Sequence, residues 1–417
     1  MSKSGGRDIF RVPGFFAYWS SYTVSGFGTY ITTVALQVLV LLDLAGNAVD
    51  VGLLNAARWL PYLVFGLVIG ALVDRRRRRP LLIGADLGRA MLLLGVPILL
   101  LAGWLSIPSL LVLVVGIGLL SLVGDAASQS LVPRIVPRTA LVSAHARTDQ
   151  SDAITQTSGP VVAGALVTVI GAAGAVVVDA ASYLFSALAI WRIRITETAA
   201  SIEERRPLRT EIAEGLRWVY RHRVLGPLAI GSHGWFFFNS MLGTVFTPFV
   251  LLGLRLSAFQ FGVALAGAGV AALVGSTLSQ RAGIRWGAGR AVIASNLVMV
   301  VGWGIIALAP ASAPSWAIVT VLAIGQGFYG LGLGLSNANE MGYRQAVTPD
   351  ELQARTNTTM RSANRAMIVV GAPIGGLLAA LLGYRPTLWI AVAGVVAVSG
   401  FLALSPFRTA THQLVEE

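Results

Sequence analysis

Ionisable side chains are scarce in this sequence, and those that interrupt its apolar runs are the ones able to do chemistry. Asp179 stands alone in Ala175-Val-Val-Val-Asp179-Ala-Ala. In apolar surroundings the neutral form of a carboxylate gains on the charged one, the property of a group that takes up and releases a proton. The same residue also suits a structural role, bonding a neighbouring helix or reaching a polar interface. Asp86 and Arg89, three apart on one helical face, can neutralise each other locally and read as a structural pair. Arg58 is a candidate partner for Asp179, while Asp125 and His233 follow Asp179 as candidates for proton exchange. Asp149 and Asp152 suit a helix N-terminus, and Glu340 lies four residues before Arg344.

Other chemistries lack their residues. The chain has no Cys, and its four His show no paired spacing for a metal. No Gly-x-x-x-x-Gly-Lys-Ser/Thr occurs, so neither a bound nucleotide nor any other cofactor is expected. An enzyme would need a catalytic constellation that is not apparent. The net charge of +12 is scattered between apolar runs rather than gathered on one face, which argues against nucleic acid.

The elements that must hold these residues follow from hydropathy. Of 417 residues, 55% are hydrophobic and 12% charged, with a mean hydropathy of +0.73, about half the charged fraction of a soluble domain. A helix crossing the hydrocarbon layer needs about 20 apolar residues. Twelve stretches qualify, near 15–41, 51–73, 81–101, 108–130, 143–170, 174–193, 224–252, 258–280, 290–309, 315–336, 357–382 and 386–405. Lys and Arg are concentrated in alternate connections, including the run Arg75 to Arg79 and the segment Arg192 to Arg223. The positive-inside rule makes that side cytoplasmic and places both termini there, in a cytoplasmic (inner) membrane. The first span, preceded by the polar stretch Met1 to Arg11, reads as uncleaved.

A shift of 212 residues superposes Pro137 on Pro349, Gly159 on Gly371, Gly164 on Gly376 and Gly171 on Gly383. The expected fold is an all-α membrane protein, twelve transmembrane helices in two six-helix pseudo-repeat bundles. The halves are 1–193 and 224–417, joined by the linker 194–223. Within that linker Leu208, Ile212, Leu216 and Val219 share a helical face, predicting an amphipathic helix on the cytoplasmic membrane surface. Gly159-Pro160, followed by Gly164, predicts a bend or a tight crossing in the fifth span.

The connection between spans two and three reads Gly70-Ala-Leu-Val-Asp74-Arg75-Arg-Arg-Arg78-Arg79-Pro80. It resembles the signature loop of the major facilitator superfamily, with Arg77 where that family has Gly. Val51-Gly52, Val132-Pro133-Arg134-Ile-Val-Pro137 and Glu214-Gly215-Leu216-Arg217 resemble its drug and siderophore exporters, including macrolide and enterobactin efflux proteins. The resemblance implies a cytoplasmic charge latch of Gly70, Asp74, Arg75, Arg78 and Arg79, with Asp125 receiving Arg78 or Arg75. It also implies a substrate cavity lined by spans one, four, seven and ten, where Tyr22, Tyr30, Gln37, His233, Trp235, Phe237, Asn239, Gln326 and Tyr329 stand.

Aromatic walls with a few neutral hydrogen-bonding groups suit a bulky amphipathic ligand, though each aromatic equally suits lipid-facing packing. The expected function is secondary active export of small amphipathic molecules by proton antiport with alternating access, the protein acting as a monomer with protons and the lipid bilayer as partners. An uptake permease, a lipid flippase or a non-transporting sensor are the alternatives.

Overall fold

The computed structural model describes residues 9–74, 76–195 and 208–411, without the side chains of residues 67, 70–72, 74, 138, 142, 208, 209, 211, 350 and 354. The helices, in order, are α1 (Phe15–Val38), α2 (Ala48–Asp74), α3 (Arg78–Leu101), α4 (Ile107–Ile135), α5 (Leu141–Trp191), α6 (Leu208–Arg221), α7 (Leu225–Pro248), α8 (Ala258–Trp286), α9 (Ala288–Ala307), α10 (Ser315–Val347), α11 (Asp350–Leu382) and α12 (Tyr384–Leu404). α5 is two spans in one: Gly171, at φ 75° and ψ 167°, breaks it into a first limb, 141–170, and a second limb, 172–191. Each limb, and every helix except α6, has the length that a bilayer requires. Ten helices among the described residues meet a strict test of length and apolarity for crossing a membrane. α2, with 27 residues, and the break in α5 bring the spans to twelve.

Local sequence sets several helix starts. Ser257 accepts the backbone N–H of Gln260 at 3.2 Å while the Gln260 side chain accepts the Ser257 N–H at 3.0 Å, a reciprocal cap that satisfies two otherwise unpaired donors of α8. Ser106 and Ser109 cap α4 in the same way. α1 and α7 both run into one π-helical turn, Leu39–Asp43 and Phe249–Gly253. Each is followed by a non-glycine residue at positive φ, Ala45 (50°) or Arg255 (54°).

The chain divides into two compact units, residues 1–45 with 57–203 and residues 46–56 with 204–417. This differs from a simple division at the linker, because the first turns of α2 lie with their backbone against α11 at Ala372 and Pro373. In unit 1, α1 and α3 pack on α5, and α3 on α4; in unit 2, α8 and α9 pack on α10, and α7 on α11 and α12.

α6 belongs to unit 2. Its Val219 is fully buried in an apolar cluster with Leu225, Leu228, Tyr343, Met360 and Phe407, and Arg355 of α11 pairs with Glu214. Of the amphipathic stripe, Val219 docks against unit 2, Ile212 is half-buried and Leu216 is 43% exposed. Leu208 and the linker residues 196–207 lie outside the described side chains and residues.

Candidate functional site

Asp179 lies on the second limb of α5 and is 1% exposed. Thr32 of α1 donates to its Oδ2, and Ser182, one turn along, donates to Oδ1 at 2.9 Å. α1 comes this close because residue 28 is glycine: a Cβ there would overlap Asp179 Oδ1 and Ser182 Oγ and stand 2.9 Å from Asp179 Cγ. Arg58 of α2 donates to Thr33 at 2.5 Å, so the partner expected for the carboxylate is bonded to the residue of α1 next to Thr32, and its charge acts on Asp179 through space.

Asp86 and Arg89 of α3 form a buried ion pair. Ser186 donates to Asp86 Oδ2 at 2.6 Å and shares a 2.6 Å hydrogen bond with Ser21 of α1. The Arg89 guanidinium lies 4.3 Å from the ring centre of Tyr183, a cation–π arrangement, and the Tyr183 hydroxyl is 3.4 Å from that of Thr29. Asp179, Ser182, Tyr183 and Ser186 fall at i, i+3, i+4 and i+7 along one face of the limb. That spacing was readable in the sequence as a polar stripe on an apolar helix. Isolated charges alone do not mark Ser182, Tyr183 and Ser186, or Ser21, Thr29 and Thr32 opposite them.

Nearer the Arg-rich ends of these helices, Tyr22 donates to Asp152 at 2.9 Å, Thr23 meets Ser151 at 2.7 Å, and Tyr62 donates to Asp125 at 2.6 Å. Asp149 and Asp152 lie two to three turns inside α5 rather than at its start. Of the latch residues, Arg75 and the side chains of Gly70 and Asp74 lie outside the described part. Arg78 is 6% exposed. Arg79 donates through Nε to the Ile190 carbonyl at 3.2 Å and through a terminal nitrogen to Trp191, placing positive charge on the last carbonyls of α5, where the helix dipole favours it. The helical dihedrals continue through Gly159 and Pro160; α5 breaks at Gly171 instead. Gly159 provides a tight crossing, with Tyr30 Cβ 2.8 Å from where its own Cβ would be.

In unit 2, Trp235, Asn239, Leu242, Met299, Trp303, Tyr329, Val392 and Val395 line one small pocket, bringing together three of the residues expected to line a cavity. Phe237 stacks edge-on against Phe238, and Gln326 is 2% exposed. His233 is held elsewhere, between the Tyr220 hydroxyl at 2.8 Å and Asn364 Oδ1 at 2.6 Å. Ser232 beside it donates to Glu340 at 3.3 Å. Among the described residues no cluster of three or more acidic or His side chains could hold a metal ion.

Two bundles of membrane-spanning helices built on one repeat, with a buried polar network inside the first, define a transporter of the major facilitator type. The chain belongs to the transmembrane secretion effector family, whose model matches residues 7–414. It is 25% identical to macrolide efflux protein A of Streptococcus pyogenes over 52% of this chain and 53% of that protein. To the multidrug efflux pump Tap of Mycolicibacterium fortuitum it is 32% identical, over 49% and 52%. In these alignments the chain spans about half the length of the curated relatives it matches. An uncharacterised transporter of Sinorhizobium fredii is 27% identical over 89% of this chain and 90% of its own. Among solved structures, a bacterial homologue of the iron transporter ferroportin superposes with a TM-score of 0.73 at 15% identity, covering 96% and 99%. The nucleoside transporter NupG gives 0.73 at 10% identity, covering 93% and 98%. At these identities the likeness is one of fold.

Proposed function

We propose that this protein exports small amphipathic molecules of the drug, antibiotic or siderophore type from the cytoplasm, driven by protons entering through Asp179. The observation that carries this reading is the Asp179 carboxylate itself: 1% exposed, inside a membrane-spanning helix, bonded to two hydroxyls. Hydroxyls bond both the charged and the neutral carboxyl, whereas a directly paired guanidinium would hold the charged form. A group so placed can change protonation without losing its partners. The efflux names of the macrolide and multidrug relatives support the outward direction and a drug-like cargo.

On this reading the protein lies in the cytoplasmic membrane with both termini inside, because Arg is concentrated on the linker side of the spans. Cells carrying the protein should tolerate more of a macrolide or a cationic dye than cells lacking it. Inside-out vesicles should accumulate the dye only when their interior is made acidic. Dye accumulation unchanged by the proton gradient would refute the coupling, and dye loss in place of accumulation would assign the protein to uptake.

A further inference from the structure

The two units carry one fold twice, so each serves as a control for the other. α1 and α7, their π turns, Ala45 and Arg255, and the starts of α2 and α8 and of α3 and α9 are all 210 positions apart. The starts of α4 and α10 are 208 apart, and the breaks at Gly171 and Gly383 are 212 apart. Side-chain crossings keep this register. Gly28 meets Ser182 in unit 1, and its counterpart in unit 2 is Phe238 meeting Gly394, with the glycine moved to the other helix. A Cβ on Gly124 of α4 would lie 2.7 Å from the Arg89 guanidinium, and one on the matching Gly332 of α10 would lie 2.6 Å from Met299 Cγ.

The helices therefore cross alike around different residues. Asp86, Arg89, Asp179 and Arg58 of unit 1 correspond to Asn296, Met299, Ala391 and Ala268 of unit 2. Asn296, Met299 and Ala391 are 4%, 2% and 0% exposed, so these positions belong to the bundle interior in both units. Buried ion pairs are costly to desolvate and are often replaceable by apolar groups of similar size without loss of stability. Unit 2 carries uncharged residues at all four positions, three of them apolar. The two acids and two guanidiniums are thus concentrated in the one unit, at positions where its repeat packs without them.

From this we infer that Asp86, Arg89 and Asp179 work as one site, in which Arg89 is a positioning residue held by Asp86 while Asp179 carries a proton and shared with Asp179 once that proton leaves. The inference rests on the reading of Asp179 as the coupling carboxyl and names what governs it. Arg89 is 8% exposed and lies over Tyr183, one turn from Asp179 on the same limb. Asp86 has its second oxygen on Ser186 and its first on Arg89, which makes it the resting partner of the guanidinium. The step breaks the O–H bond of the Asp179 carboxyl and passes the proton to water. The carboxylate left behind keeps the hydrogen bonds of Thr32 and Ser182 and draws on the Arg89 charge; protonation reverses this. The other ionisable groups around the site are Arg58 and Tyr62 from α2, Asp125 from α4 and Tyr183 from the limb itself, while α1 contributes the hydroxyls of Ser21, Thr29 and Thr32.

The test uses purified full-length protein in lipid vesicles and reads the infrared C=O stretch of protonated carboxyl groups against pH, with no ligand present. Asp179→Asn should remove one titrating band, which assigns it. Asp86→Asn frees the guanidinium for Asp179 and Arg89→Met removes it, so the two should move the midpoint of that band in opposite senses, each by about one pH unit or more. The triple variant Asp86→Asn, Arg89→Met, Asp179→Ala installs the residues of unit 2; it should melt within a few degrees of the parent and show no such band. If Asp179→Asn removes no titrating band, the coupling reading itself fails. If it removes the band but neither Asp86→Asn nor Arg89→Met moves the midpoint, or both move it the same way, the coupling reading stands and the inference about Arg89 is overturned. A triple variant that fails to fold overturns the claim that the charges are dispensable to the bundle.

Discussion

Gly28→Ala adds one methyl group at the point where α1 approaches Asp179 most closely. The new Cβ would overlap Asp179 Oδ1 and Ser182 Oγ and stand 2.9 Å from Asp179 Cγ, so either the carboxyl turns away or α1 withdraws. Overfilling a close-packed interior costs about 1–3 kcal/mol. Withdrawal instead strains the Thr32 bond to the carboxylate, and a hydrogen bond to a charged group is worth about 1.5–3 kcal/mol. By either route the loss is about 1–3 kcal/mol, which for a chain of 417 residues is roughly 1–4 °C in apparent Tm, measurable by thermal unfolding in detergent. Asp179→Ala in the same chain vacates the space the methyl needs, so the double variant should be more stable than the sum of the singles by about 1 kcal/mol or more. A Gly28→Ala protein that melts with the parent, and whose Asp179 band titrates as before, would refute the enclosed carboxyl described above.

Gly171→Ala and Gly383→Ala test backbone rather than space: at φ 75° and 90° with ψ 167° each occupies a region open essentially to glycine, so each substitution should cost about 1–3 kcal/mol, and unchanged melting would contradict the break between the paired spans. His222 accepts the backbone N–H groups of Val224 and Leu225 through Nδ1, at 3.2 and 3.0 Å, and its burial lowers its pKa. The folded state therefore binds fewer protons there than the unfolded chain, so this contribution is present above the unfolded value of about 6.5 and lost as pH falls through the folded one; His222→Ala should flatten that part of the stability–pH curve. Val219→Asp should release α6 from its apolar cluster, and hydrogen exchange that left the α6 amides as protected as in the parent would contradict the docking. Asp74→Asn should impair transport without preventing insertion, and a normal rate would reduce the following Arg run to a membrane anchor.

The spans were legible because a bilayer imposes length and apolarity on every crossing, and positions 15, 258 and 382 recur as helix ends in both reading and structure. The misplacements have a physical pattern. α10 continues to Val347, beyond the expected end at 336, and α11 begins at Asp350 rather than 357. Hydropathy stops where the hydrocarbon stops, while backbone hydrogen bonding carries a helix on through polar residues such as Asn339 and Arg344. The connection expected at 171–173 narrows to one glycine because φ at Gly171 can change sign within a residue. In the candidate site, the Asp86–Arg89 pair was readable from i, i+3 spacing alone. The hydroxyls of Ser21 and Thr32 that complete the network belong to another helix, and hydropathy does not say which helices are neighbours. Nor does an amphipathic stripe say what it meets, which is why the face of α6 could be read but not the docking of Val219 beside Tyr343, Met360 and Phe407.

The central claim is that Asp179 couples proton entry to export. It is tested most directly by uphill transport of a cationic dye in inside-out vesicles holding equal amounts of parent or Asp179→Asn protein, with and without an acidic interior. An amide keeps the size of the carboxyl and much of its hydrogen bonding but cannot exchange a proton. The account predicts that the variant binds dye and equilibrates it but no longer concentrates it when the proton gradient is imposed. Concentration of the dye by Asp179→Asn as steeply as by the parent would contradict it.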